Sequence, residues 1–225
     1  MTSPTGSMIF LEDAYLESEQ LIYNTLPSKE HVEITKAAIE KRGISVDVVG
    51  TKDEALDKVK KSIPNAASVM TGGSMTLRQI GFTEFLKSGD HQWRNLMAEA
   101  LSEKDNQKKL QLRQQSTLAD YFIGSVNAIS ETGELVFASA SGSQLPAYAY
   151  SSNNIIWVAG SHKITPTLDE AIKRVREYVQ PLNDKRTKDA GFGESPIGKL
   201  LIFEGESRIL RRKLNLILVE EVLGF

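Results

Sequence analysis

The chain has 225 residues, 40% of them hydrophobic and 25% charged, which is enough apolar material for one sizeable core. A net charge of −2 gives no electrostatic basis for nucleic-acid or anionic-membrane binding, and the absence of cysteine excludes disulfides, thiolate metal sites, a cysteine nucleophile and cysteine-ligated clusters. His31, His91 and His162 are scattered without ligand spacing, so no metal site is expected, and no run of about 18 apolar residues marks a membrane span, so a cytoplasmic protein is expected.

Residues 1–8 are small and mostly polar, without the basic start and apolar stretch of a secretory signal; they read as a disordered tail, with 9–225 as a single domain. Ser28 is placed to cap a helix running to Arg42, with Gly43 as its stop, and Ile44–Val49 follows as a short apolar strand. Thr51-Lys52-Asp53-Glu54 is a capping box opening a helix that puts Ala55, Leu56, Val59 and Ile63 on one side and ends at Pro64-Asn65. Ala67–Met70 reads as a strand, Leu77–Ile80 as helical, and the polar stretch His91–Gln115 as mostly helical. Tyr121–Ser125, Glu134–Ala138 and Ile155–Ala159 read as strands. Thr167-Leu168-Asp169-Glu170 is a second capping box whose helix runs to about Gln180, with Pro181 marking its exit. Leu200–Phe203 and Leu214–Val219 are the last strands, with Arg208–Lys213 turning the chain back between them as an antiparallel pair. Alternating helices and strands predict an α/β fold: a three-layer, Rossmann-like, mainly parallel sheet ending in that C-terminal antiparallel pair.

Four segments carry candidate chemistry. Gly72-Gly73-Ser74-Met75-Thr76 joins a strand to a helix; its glycines allow close backbone approach, and the helix start with the Ser74 and Thr76 hydroxyls suits a phosphate or carboxylate. A plain strand-to-helix turn capped by Ser or Thr explains the same residues equally well. The stretch has neither the spacing of a Walker loop nor that of a dinucleotide fingerprint. Asn127–Glu134 joins two strands; a carboxylate there could act as acid, base or nucleophile, while Thr132-Gly133 also fits a hairpin turn with solvated Glu131 and Glu134. Gly160-Ser161-His162-Lys163 follows the most apolar strand, so Lys163 could meet an anion at a strand end or lie on the surface of a loop. Pro181–Arg186 is polar and follows a helix, either as a cover over a site or as a solvated exit loop. Arg208, Arg211, Arg212 and Lys213 are four charges in a net acidic chain and read as a solvated hairpin.

In their order and spacing, MTGGSMTLRQIGF (Met70–Phe82), ADYFIGSVNAISETGELV (Ala119–Val136), WVAGSHKITPTLDEAIKRV (Trp157–Val175), PLNDKR (Pro181–Arg186) and ILVEEVLGF (Ile217–Phe225) resemble the LUD, or lactate-utilisation (DUF162-type), family. The resemblance implies a fold like that of ribose-5-phosphate isomerase, glucosamine-6-phosphate deaminase and class I CoA transferases (the NagB/RpiA/CoA transferase-like group), with ligands at strand-end loops. It implies an anion-binding role for the Gly-Gly-Ser-x-Thr loop. Glu131-Thr132-Gly133 is similar to the Glu-x-Gly of CoA transferases, whose glutamate is the acyl-accepting nucleophile. Two stretches depart from the family pattern. Thr187–Lys199 lacks the cysteine-rich segment common in relatives, so no iron–sulfur cluster is held there. Ser141-Gly142-Ser143-Gln144 stands in place of a Gly-Asn-Arg-type stretch.

The resulting expectation is an accessory or binding protein of lactate or organic-acid metabolism that holds a small organic-acid or phosphorylated anion. The binding set is Gly72, Gly73, Ser74, Thr76, Asn127, Thr132, Gly133, Lys163, Asn183 and Lys185. The alternative is an enzyme of acyl/CoA-transfer or sugar-phosphate isomerase type using Glu131. CoA or another phosphate-bearing ligand is the candidate cofactor. Redox proteins and a second copy of the chain are the candidate partners.

Overall fold

The computed structural model describes residues 22–225; the tail expected at the N-terminus lies outside them. Among the described residues, ten strands form two sheets. The larger is parallel throughout, in the order β1 (Ser45–Val49), β10 (Lys213–Val219), β7 (Asn154–Gly160), β4 (Tyr121–Gly124), β2 (Ser68–Thr71), β3 (Arg94–Asn95). The smaller runs β8 (Ile164–Thr165), β5 (Ala128–Ser130), β6 (Leu135–Ser139), β9 (Lys199–Phe203), with β5–β6 and β6–β9 antiparallel.

The large sheet is buried on both faces, as continuously apolar parallel strands require. In β7, Ile155, Trp157 and Ala159 point into one core, and Ile156 and Val158 into the other. Helices α2 (Lys52–Ser62), α3 (Met75–Gln79) and α4 (Phe82–Ser88) cover the second core with Ala55, Val59, Leu77, Phe82 and Leu86. The first core takes Val32 and Ile39 from α1 (Lys29–Lys41) and packs Leu96 and Met97 from α5 (Leu96–Ser102). It also takes Ile129, Leu135, Phe137 and Phe203 of the small sheet, whose outer face carries α7 (Leu168–Arg174) on Ala171. A polar helix, α6 (Asn106–Gln115), completes the run between β3 and β4. None of the described helices is long and apolar enough to cross a membrane.

Local signals act where the sequence puts them. Ser28 caps α1 by accepting from His31 N, and the Thr51–Glu54 capping box is complete. Two expectations are corrected. The two last strands do not pair with each other: β9 joins β6 in the small sheet, and β10 inserts between β1 and β7. Leu214, Leu216, Ile217, Leu218 and Val219 are almost fully buried, which suits a central parallel strand, whereas β9 is only half-buried along most of its length. Pro181 does not end its helix. A wide π turn at Val175–Val179 leaves the proline in the first turn of α8 (Gln180–Asp189), where no N–H is needed, so Pro181–Arg186 is helical rather than a loop. The stretch His91–Gln115 is mostly helical, as expected, over Leu96–Ser102 and Asn106–Gln115, with the short strand β3 ahead of the first helix.

Candidate anion-binding site

A cavity of about 260 Å³ opens where β2, β4, β7 and β10 end, beyond the carboxyl edge of the large sheet. Each strand hands the chain to one wall. After β2 come Gly72–Thr76 and Arg78 of α3; after β4 come Ser125–Asn127; after β7 comes Lys163; after β10 come Gly224 and Phe225. Gln144 and Tyr148 form another wall, and α8 presents Gln180, Asn183 and Arg186, which share one helix face by their i, i+3 spacing. The lining contains three cations, Lys163, Arg78 and Arg186, and no aspartate, glutamate or histidine among the described residues.

Lys163 is the buried cation of the three, at 3% exposure. Its Nζ donates to Thr76 Oγ1 (3.1 Å), Val126 O (3.1 Å) and Ser125 Oγ (3.4 Å). The hydroxyl hydrogens lead elsewhere: Ser125 Oγ donates to Thr76 Oγ1 at 3.1 Å, and Thr76 Oγ1 to Leu223 O at 3.2 Å. Three acceptors therefore converge on one nitrogen, and all are neutral. Burial, and then the Arg174 guanidinium, push this amine well below the usual lysine range. Arg174 is itself fully buried. It donates to Asn127 O at 2.6 Å and lies 5.1 Å from the Tyr178 ring centre, while its Nε and Nη2 meet no hydrogen-bond partner. Burial lowers it to about 10, against the pull of Tyr178 and Tyr23. His162 completes the cluster. Neither ring nitrogen completes a hydrogen bond, and burial, with Lys163 and Arg174 nearby, pushes the imidazole down to about 2, against a small pull from the Glu221 backbone.

Backbone proximity shapes the walls at two glycines. A Cβ at Gly124 would stand 1.8 Å from the Tyr148 hydroxyl, so the absence of a side chain is what lets Tyr148 reach the cavity. Gly224 has φ +73°, and a Cβ there would lie 2.4 Å from Thr76 Oγ1 and 3.1 Å from Lys163 Nζ. The C-terminal segment thus passes directly over the lysine.

Of the residues expected from sequence, the structure brings together Gly72, Gly73, Ser74, Thr76, Asn127, Lys163 and Asn183 around this cavity. Ser74 is committed as the cap of α3, accepting from Leu77 N at 3.2 Å. Lys163 is not a surface lysine. Lys185 is exposed and off the cavity, as is Thr132 of the β5–β6 hairpin; Glu131 in the same turn is half-buried and also off the cavity, and Gly133 is buried. Glu131 Oε1 lies 2.5 Å from His31 Nδ1 of α1, and this hydrogen bond raises the exposed imidazole. The carboxylate buried in that hairpin is Glu134. Burial raises its pKa, but hydrogen bonding from Thr132 and the Arg42 guanidinium outweigh it, leaving the group below the usual range. Arg42 also donates to Thr132 O at 2.9 Å and Glu204 O at 2.6 Å, so the cluster ties α1 to the hairpin.

Sequence reasoning missed Arg78, Ser125, Gln144, Tyr148, Arg174 and Arg186 as part of this site. Two carried a readable signal. Arg186 lies three residues from Asn183, and Arg174 falls on the stripe Ala171, Arg174, Val175, Tyr178, where an apolar residue is the rule.

The family model described as the LUD domain matches residues 32–216. The chain belongs to the LUD domain family. This LUD domain is similar in fold to a DUF162 family protein from Deinococcus radiodurans whose crystal structure was determined at 1.70 Å resolution. The TM-score is 0.52 at 15% identity, covering 87% of this chain and 99% of that one. No curated protein matches the chain. The matched residues include the small sheet and most of the cavity lining; Gly224 and Phe225 lie beyond them.

Proposed function

We propose that this LUD domain binds a small anion, an organic acid or a phosphorylated metabolite, in the cavity floored by Lys163. It acts as a cytoplasmic binding or accessory component of lactate or organic-acid metabolism, working beside redox proteins. The observation that carries the anion reading is the make-up of the lining: three basic side chains and no aspartate or glutamate, around a lysine whose nearest partners are all neutral. In a water-poor floor such a charge is costly until an anion arrives. The family name supplies the metabolic context.

Glu131 chemistry draws less support. That carboxylate does not line the cavity and is held by His31. The test is calorimetric titration with lactate, inorganic phosphate, a sugar phosphate and an acyl-CoA, on the wild type and on Lys163→Met. The reading expects saturable binding of at least one of these anions, weakened about tenfold or more by Lys163→Met, since about 1.4 kcal/mol is a modest loss for one buried charge contact. Equal affinities in the two proteins would overturn it.

A further inference from the structure

We infer that an anion entering this cavity brings a proton with it, taken up from solvent at Lys163 Nζ, so that ligand binding and protonation of this lysine are one coupled event. The inference rests on the anion reading above and adds to it a regulation: affinity set by pH.

None of the side chains that surround the lysine carries a negative charge. From α3 it meets the Thr76 hydroxyl, with Arg78 at the cavity wall. From the end of β4 it meets the Ser125 hydroxyl and the Val126 carbonyl. From α7 comes the guanidinium of Arg174, and on its own turn the imidazole of His162. From α8 come neutral Asn183 and the cation Arg186. Over it lies the backbone of Gly224; the nearby Glu221 carboxylate accepts from Lys52 N at 3.3 Å instead. Tyr148 is the remaining ionisable group in the wall, and its burial raises the phenol, which stays neutral.

An ammonium here has its three hydrogens satisfied but no counter-charge, and it stands beside a second buried cation. The empty site therefore favours the neutral amine. An anion in the cavity reverses that balance by supplying the missing charge, and reciprocity of linkage then requires protonation to strengthen anion binding by the same factor. The balance is simple: neutral amine, anion and one solvent proton give an ammonium–anion pair, with no bond broken elsewhere. Arg78 and Arg186 line the cavity as further basic groups that attract the anion.

Sulfate is a suitable probe because it does not itself titrate near neutrality. In a pH-stat at about pH 8 to 9, where free lysines are still charged, saturating the protein with sulfate should consume close to one proton per bound ion, with chloride as the control. Affinity should fall as pH rises through this range, by up to about tenfold per pH unit. Lys163→Arg carries a fixed charge and should bind sulfate with no proton uptake and a flat pH profile. Sulfate binding to the wild type without proton uptake, or uptake that persists in Lys163→Arg, would overturn the inference while leaving the anion site standing. If Lys163→Arg does not fold, the wild-type proton count and pH profile decide alone. No sulfate binding at any pH would overturn the anion reading together with the inference.

Discussion

Two clusters of buried charge, the cavity floor and the β5–β6 hairpin, deal with the cost of burial in opposite ways. In the hairpin, Glu134 is answered by Arg42 and by Thr132, and Arg42 spends its remaining donors on the carbonyls of Thr132 and Glu204. Every charge there has a partner, and the cluster joins helix to turn. At the floor, Lys163 and Arg174 lie side by side with only neutral oxygens and aromatic faces for company. A cluster that closes on itself stabilises; one left open by a charge points to a ligand.

The comparison can be broken most sharply by removing a charge from each side. Arg42→Ala leaves the Glu134 carboxylate uncompensated and should cost about 3 kcal/mol of stability, read as a clear fall in Tm, with anion affinity unchanged. Lys163→Met should do the reverse: Tm held or raised, because a buried amine that has no counter-charge is replaced by an apolar chain of similar length. If both variants lost stability alike, the distinction between a closed and an open cluster would fail.

Next in size is the response to acid. His162 is held neutral down to about 2, whereas in the unfolded chain it protonates near its ordinary value. As pH falls below about 6.5 the unfolded state binds the extra proton, so stability is lost at up to about 1.4 kcal/mol per pH unit. His162→Phe should flatten that part of a chemical-denaturation series against pH. The lysine acts at the other end of the scale. Its folded amine titrates below the ordinary 10.5, so between its folded value and 10.5 the unfolded chain holds more protons and stability of the ligand-free protein rises with pH. In Lys163→Met that rise should be absent.

The smallest effect is expected at Glu131. The carboxylate meets an exposed imidazole and lies off the cavity, so Glu131→Gln should leave both Tm and anion affinity at wild-type values. An affinity lost in this variant would move the site to the hairpin.

How far these clusters could be read in the sequence differs in a similar way. Caps at Ser28, Thr51 and Thr167 were legible because they satisfy backbone groups within three residues of themselves. The strand-end loops at Gly72–Thr76 and at Lys163 were legible because a parallel sheet puts such loops along one edge. The partner of each last strand was not, because apolar content alone does not say which of two sheets a strand enters. Pro181 misled because the π turn before it shifts the backbone pairing, a feature without a local signature. The burial of Lys163 and the approach of Gly224 depend on contacts between residues far apart in the chain, such as the Thr76 hydroxyl and the Leu223 carbonyl.

The most direct test of the central claim is the affinity of sulfate for Lys163→Met and Glu131→Gln, measured by calorimetry beside the wild type at one pH. An anion site on the cavity floor predicts about tenfold or greater loss in Lys163→Met and none in Glu131→Gln. Undiminished binding in Lys163→Met would contradict it.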